Sequence, residues 1–144
     1  MVLKNKKRLY VALYPSGVVD NESRKYGYSL LIAHVLKIGP RYHWGYLVGP
    51  KVEDKELVPE MRYHVKSSPA DGWIYEEVAL TNVKSTNNLL VRILIAKIED
   101  EARLVDILRN TPLVQDGPDW RCRSWIADAM LRIENDGKAV GTAV

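Results

Sequence analysis

Three side chains set the chemistry open to this chain. Cys122 is its only cysteine and stands in Asp119-Trp120-Arg121-Cys122-Arg123-Ser124-Trp125, where a helix is expected to open. A thiol attacks as its thiolate, and the positive end of a helix and neighbouring cations both favour that form. Arg121 and Arg123 supply the cations. His43 lies in Tyr42-His43-Trp44-Gly45-Tyr46-Leu47-Val48-Gly49, and His64 in Arg62-Tyr63-His64-Val65. An imidazole in reach of the sulfur can take its proton, and a second polar group can fix that imidazole's tautomer. The backbone N–H of Cys122, which lacks a helical partner at a first-turn position, would serve a developing oxyanion. Together these residues fit attack on an acyl carbonyl, with His43 as base, His64 as orienting group and Cys122 as nucleophile.

The two histidines can meet only in one class of register. Both segments read as strands, and directly opposed residues of an antiparallel pair share a face. If His64 sits opposite Gly45, His43 and His64 become diagonal neighbours on one face, and Gly45 leaves room for the His64 ring. A slip of one residue would separate them.

The remaining elements must hold that arrangement. Leu9–Tyr14 reads as a strand ended by Pro15-Ser16-Gly17. Glu22–Ile38 is assigned to a helix capped by Ser23, although Gly27 weakens it and Leu30–Leu36 would also suit a buried strand. Strands follow at His43–Val48, Met61–Lys66, Trp73–Leu80 and Leu89–Ile98, with a charged loop over Lys51–Glu60. Glu99–Asn110 carries Ala102, Leu104, Val105 and Leu108 on one helical stripe and closes at Thr111-Pro112. The last helix runs from about Cys122, with Trp125, Ile126, Ala129, Met130 and Ile133 at spacings of three and four, and stops at Asn135-Asp136-Gly137. Strands first and helices last make an α+β domain with a mainly antiparallel sheet packed against helices. Residues 1–144 read as one domain with soft ends at about 1–6 and 136–144.

Composition agrees with this and removes other classes. The chain has 144 residues, 47% hydrophobic and 27% charged, an ordinary globular balance. One cysteine rules out an internal disulfide and every multi-cysteine zinc site, and suits a reducing, cytoplasmic compartment. There is no apolar run of membrane-spanning length, and the basic start, Met1 to Arg8, does not read as a signal peptide. A net charge of +3 is too weak to argue nucleic acid. No phosphate loop, dinucleotide fingerprint or His-x-x-x-His pair occurs, so neither cofactor nor metal is expected. A zinc site of His43, His64 and Cys122 ranks below the thiol reading. An open sheet edge leaves a homodimer open.

Plainer readings exist for each residue. A lone cysteine on an apolar helix face is often a small core residue, and a single sheet histidine is often bonded to backbone. His34 is read as structural. Trp44, Trp120 and Trp125 are candidates to line a substrate groove, Trp120 foremost because it precedes the cysteine, though such residues more often pack. Glu76 and Glu77 alternate faces, so one can approach the histidines.

The order His43-Trp44, His64, helix-opening Cys122 resembles the circularly permuted papain-like thiol enzymes, the lecithin:retinol acyltransferase group and the related NlpC-type cell-wall peptidases. That resemblance covers roughly residues 42–66 and 119–132 and implies a permuted papain-like fold, a metal-free Cys-His-His site, and hydrolase or acyltransferase activity. The Asn-Cys-Glu-His run of those acyltransferases is Arg121-Cys122-Arg123-Ser124 here. Their hydrophobic anchor has no counterpart, which argues against a phospholipid or retinoid substrate. The whole chain also resembles an uncharacterised family of small fungal proteins through Leu9–Leu13, Tyr42-His43-Trp44 and Cys122-Arg123-Ser124-Trp125. The expected partner is therefore a small-molecule, peptide or protein acyl substrate. An inactive member of the same fold, binding a ligand through its aromatic cleft, is the competing expectation.

Overall fold

Arg8–Pro15 (β1) is covered on both faces because β-branched, leucine and tyrosine residues fill both sets of alternating positions. It forms the middle of a curled six-stranded sheet in the computed structural model, which describes residues 6–15, 42–51, 58–83, 89 and 91–142. The other strands are β2 (Tyr42–Gly49), β3 (Glu60–Ser68), β4 (Gly72–Leu80), β5 (Val91–Ile98) and β6 (Val140–Gly141), in the spatial order β4-β3-β2-β1-β5-β6. Each pairing is antiparallel. Helices α1 (Glu101–Asn110) and α2 (Cys122–Asp136) complete the described elements, giving a mixed α+β architecture dominated by its sheet. The helix assigned to Glu22–Ile38, and His34 within it, lie outside the described residues.

The two faces of the sheet differ. On one, Leu9, Val11, Tyr46, Val48, Tyr63 and Val65 pack against Leu104 and Leu108 of α1 and Trp125, Ile126, Ala129 and Ile133 of α2. Trp125 is fully buried there, and truncating such a side chain to alanine typically costs ~3–5 kcal/mol. On the other, Tyr10, Ala12, Tyr14 and Leu47 pack with Val58 and Val83. The α1 stripe turns slightly from the expected one: Ala102 is exposed, and Ile107 joins Leu104, Val105 and Leu108 against the core.

Caps fix both helices. The Asp100 carboxylate accepts the Arg103 N–H at 3.1 Å at the start of α1. Ser124 Oγ accepts the Arg121 N–H at 3.1 Å at the start of α2, and Gly137, at φ +70°, ends it in the left-handed conformation. The tail offers no large apolar residue beyond valine, yet it returns to the sheet. The Asp136 carboxylate accepts the Lys138 and Ala139 N–H groups at 3.0 and 2.9 Å, turning the chain so that Val140 and Gly141 pair with Ile98 and Lys97.

No helix among the described residues is long and apolar enough to cross a membrane.

Candidate functional site

Gly45 lies directly opposite His64, the register that the two histidines require. His43 stands opposite Tyr14 in β1, and His64 opposite Glu76 in β4. All four side chains therefore rise from one face, that of Tyr10, Ala12 and Leu47. The missing side chain at Gly45 matters here, since a Cβ would lie 3.3 Å from His64 Cβ.

On that face the rings meet. His43 Nε2 is 2.6 Å from His64 Nδ1, with the rings edge-on, and His64 Nε2 is 2.8 Å from Glu76 Oε1. Glu76 also accepts from Lys66 Nζ at 2.8 Å, and these two contacts, Lys66 first, hold its carboxyl down to about 2. An ionised carboxylate only accepts, so His64 Nε2 carries the proton that points at it. In neutral His64 the Nδ1 atom is then an acceptor, and His43 Nε2 must donate to it. The chain of three consequently leaves Nδ1 of His43 as the basic nitrogen. Burial, then the neighbouring His64 and Arg62, pull His43 down to about 4; burial also lowers His64, against the pull of Glu76. Both rings are neutral at pH 7.

Cys122 opens α2 as expected and reaches β2 from another direction. The β2–β3 ladder ends at Gly45, while β1 stays paired with β2 as far as Tyr42. Beyond Gly45 the sulfur occupies the place of a ladder partner: its thiol donates to the Tyr42 carbonyl at 3.7 Å, and it accepts the Trp44 N–H at 3.5 Å. These are the two peptide groups that flank His43. Among the described residues, neither imidazole hydrogen-bonds the sulfur. The rings project from the face opposite the helices, whereas the sulfur belongs to the helix-side core.

The expectation of a preactivated thiolate needs correction. Burial pushes the Cys122 thiol above its ordinary range, outweighing the N–H groups of Trp44, Arg123 and Cys122 and the charge of Arg121. The helix terminus contributes as anticipated, but the sequence does not show that the sulfur is sealed beneath β2.

The tryptophans separate into two kinds. Trp125, expected to line a groove, is sealed between Tyr46 and Tyr75 with ring centroids 5.7 and 5.8 Å away, so its role is packing. Trp44 is half-buried against the helix-side core, and half-buried Trp120 stands edge-on to Trp73 at 5.4 Å. Glu76 is a site residue that the sequence marked only as one of an alternating pair; its neighbour Glu77 instead accepts from Arg109 at 2.7 and 2.9 Å on the other face. No group of three or more His, Cys, Asp or Glu residues among those described could hold a metal ion. The 2.6 Å contact leaves no space between the rings for an ion needing ~2.0 Å to each nitrogen.

A family profile matches residues 6–144, under the description "Family of unknown function (DUF6914)". The chain belongs to that family. No curated protein and no solved structure matches it significantly. For this DUF6914 chain, then, the site has to be read from its own atoms: a Glu76–His64–His43 relay on one face of β2 and a thiol on the peptide groups either side of His43.

Proposed function

We propose that the protein is a cysteine-dependent hydrolase or acyltransferase of permuted papain-like fold, acting on a peptide, amide or thioester carbonyl. One observation carries the reading: the Cys122 sulfur hydrogen-bonds both peptide groups flanking the histidine whose Nδ1 the relay leaves basic. The resting pair is neutral thiol and neutral imidazole, so His43 works as a general base during attack rather than as half of a standing ion pair. At rest the sulfur and the relay lie on different sides of β2, so the reaction has to bring them together over the open edge of β2 beyond Gly45. As the S–C bond forms there, the thiol proton passes to His43 Nδ1, and negative charge grows on the carbonyl oxygen, which the Cys122 N–H can receive. Collapse breaks the bond to the leaving group, and His43 returns the proton to that group. Water or an amine then attacks the thioester and gives its proton to His43, which passes it to the departing Cys122 sulfur as the S–C bond breaks, restoring the neutral thiol and imidazole.

The test is treatment with 4-nitrophenyl acetate, following nitrophenolate release and the intact mass. A burst with one acetyl group on Cys122, absent in Cys122→Ala, is the expected result. A wild-type protein left unmodified at Cys122 would overturn the reading.

A second reading has its own support. The buried thiol, held above its ordinary range by burial, fits a structural cysteine in a non-catalytic binding module. That module would leave Cys122 unacylated in the same experiment.

A further inference from the structure

Arg62 lies two residues before His64 on the same face of β3, opposite Leu47 on one side and Val78 on the other. Its guanidinium carbon stands 5.3 Å from the centre of the Tyr14 ring, and that ring is 6.0 Å from His43. Of the other cations of this face, Arg92 pairs with Glu60, Lys66 pairs with Glu76, and Arg8, at the far end of β1, donates to the Lys6 carbonyl. Arg62, half-buried, forms no ion pair among the described residues. Its Nε is buried without a hydrogen-bond partner. The Tyr14 hydroxyl, in a residue only 5% exposed, has no partner in full hydrogen-bond geometry, although the adjacent Arg62 guanidinium offsets part of the burial that raises this phenol. Partly desolvated donors left unsatisfied are costly unless something completes them.

We propose that Arg62 and Tyr14 form a subsite for a single carboxylate, so that the acyl substrate is one that carries a carboxylate and seats it beside His43. The guanidinium fork matches a planar carboxylate, and the phenol supplies a further donor. One uncompensated positive charge suits one negative charge; a phosphate dianion would meet Glu60 and Glu76 on the same face. Tyr14, lying between Arg62 and His43, puts a bound carboxylate next to the ring that the relay leaves basic. The inference rests on the reading of Cys122 and His43 as nucleophile and base, but its own test needs no turnover.

The Cys122→Ala protein, labelled with 15N at histidine, is titrated with succinamate, which has one carboxylate and one amide carbonyl, and with butyramide, its uncharged counterpart. Succinamate is expected to shift the His43 and His64 resonances saturably, while butyramide at equal concentration does not. In Arg62→Met the succinamate affinity falls at least tenfold, and Arg62→Lys falls between. Equal responses to the two probes, no saturable response, or a succinamate response unchanged in Arg62→Met overturns the proposal. The contrast of the two probes on the protein with native Arg62 decides the matter even where Arg62→Met does not fold. A chain that binds succinamate through Arg62 yet never acylates Cys122 would refute the enzyme and keep the subsite; the reverse pattern would do the opposite.

Discussion

His43 Nε2 and His64 Nδ1 lie 2.6 Å apart, and this contact assigns the protons of both rings. Because Glu76 accepts from His64 Nε2, the donor between the rings has to be His43 Nε2–H. Imidazole 15N NMR at neutral pH should therefore show both residues neutral and protonated at Nε2. In Glu76→Gln the charged anchor of His64 is gone, and the His43 signals should become a mixture of tautomers. A His43 protonated at Nδ1 in the wild type would refute the assignment.

The same relay makes Glu76 a positioning residue. Carboxylates that orient a working histidine are typically worth ~10–100-fold in activity. For Glu76→Gln we expect a loss of that size in kcat for ester turnover with KM nearly unchanged. Substitution of Glu77, which faces Arg109 on the other side of the sheet, should leave kcat as it was. Equal effects of the two substitutions would remove the relay's role.

Burial of His43 also couples stability to pH. Its pKa falls from ~6.5 in the unfolded chain to about 4 in the fold, so the fold favours the neutral ring. The contribution is complete above ~6.5 and is lost as pH drops from there through about 4, to a total on the order of 3 kcal/mol. His64, also lowered, adds in the same direction. Urea unfolding should show wild type losing stability against His43→Gln between those two pH values. Parallel curves would place the ring in solvent.

Cys122 should alkylate slowly. Its thiol is held above the ordinary range by burial, so iodoacetamide labelling at pH 7 should be slower than in the urea-unfolded chain and should climb into the alkaline region. A fast plateau extending below pH 7 would mean a thiolate–imidazolium pair at rest, and a different arrangement of sulfur and ring.

Gly45→Ala tests the niche beneath His64. The new methyl would press on His64 Cβ at 3.3 Å and on the Tyr63 carbonyl at 3.5 Å. Strain of this kind costs ~1–3 kcal/mol. Ester turnover should fall more steeply than the folded fraction, because the displaced ring breaks its contact with His43. Activity tracking the folded fraction alone would argue that the contact is dispensable.

Much of this arrangement could be read from residue order. Each expected strand within the described residues lies within about two residues of its observed bounds, because aromatic and β-branched runs between turn signals leave few alternatives. The pairing of Gly45 with His64 followed from requiring two histidines on one face with space for a ring. Three features were not legible. The thiol's burial depends on where β3 leaves β2, a property of two strands that the Cys122 segment does not encode. The seating of Trp125 against Tyr46 and Tyr75 depends on how α2 crosses the sheet. β6 forms because Asp136 turns the backbone through its N–H groups, and Val140 and Gly141 carry no strand signal of their own.

The most direct test of the general-base reading is the single-turnover rate of Cys122 acylation by 4-nitrophenyl acetate in wild type and in His43→Ala, at a pH where both are folded. A base acting in the transition state contributes ~10²–10⁴-fold, and a loss of that size is the predicted result. Equal acylation rates in the two proteins would contradict the account, whatever the distances between the residues.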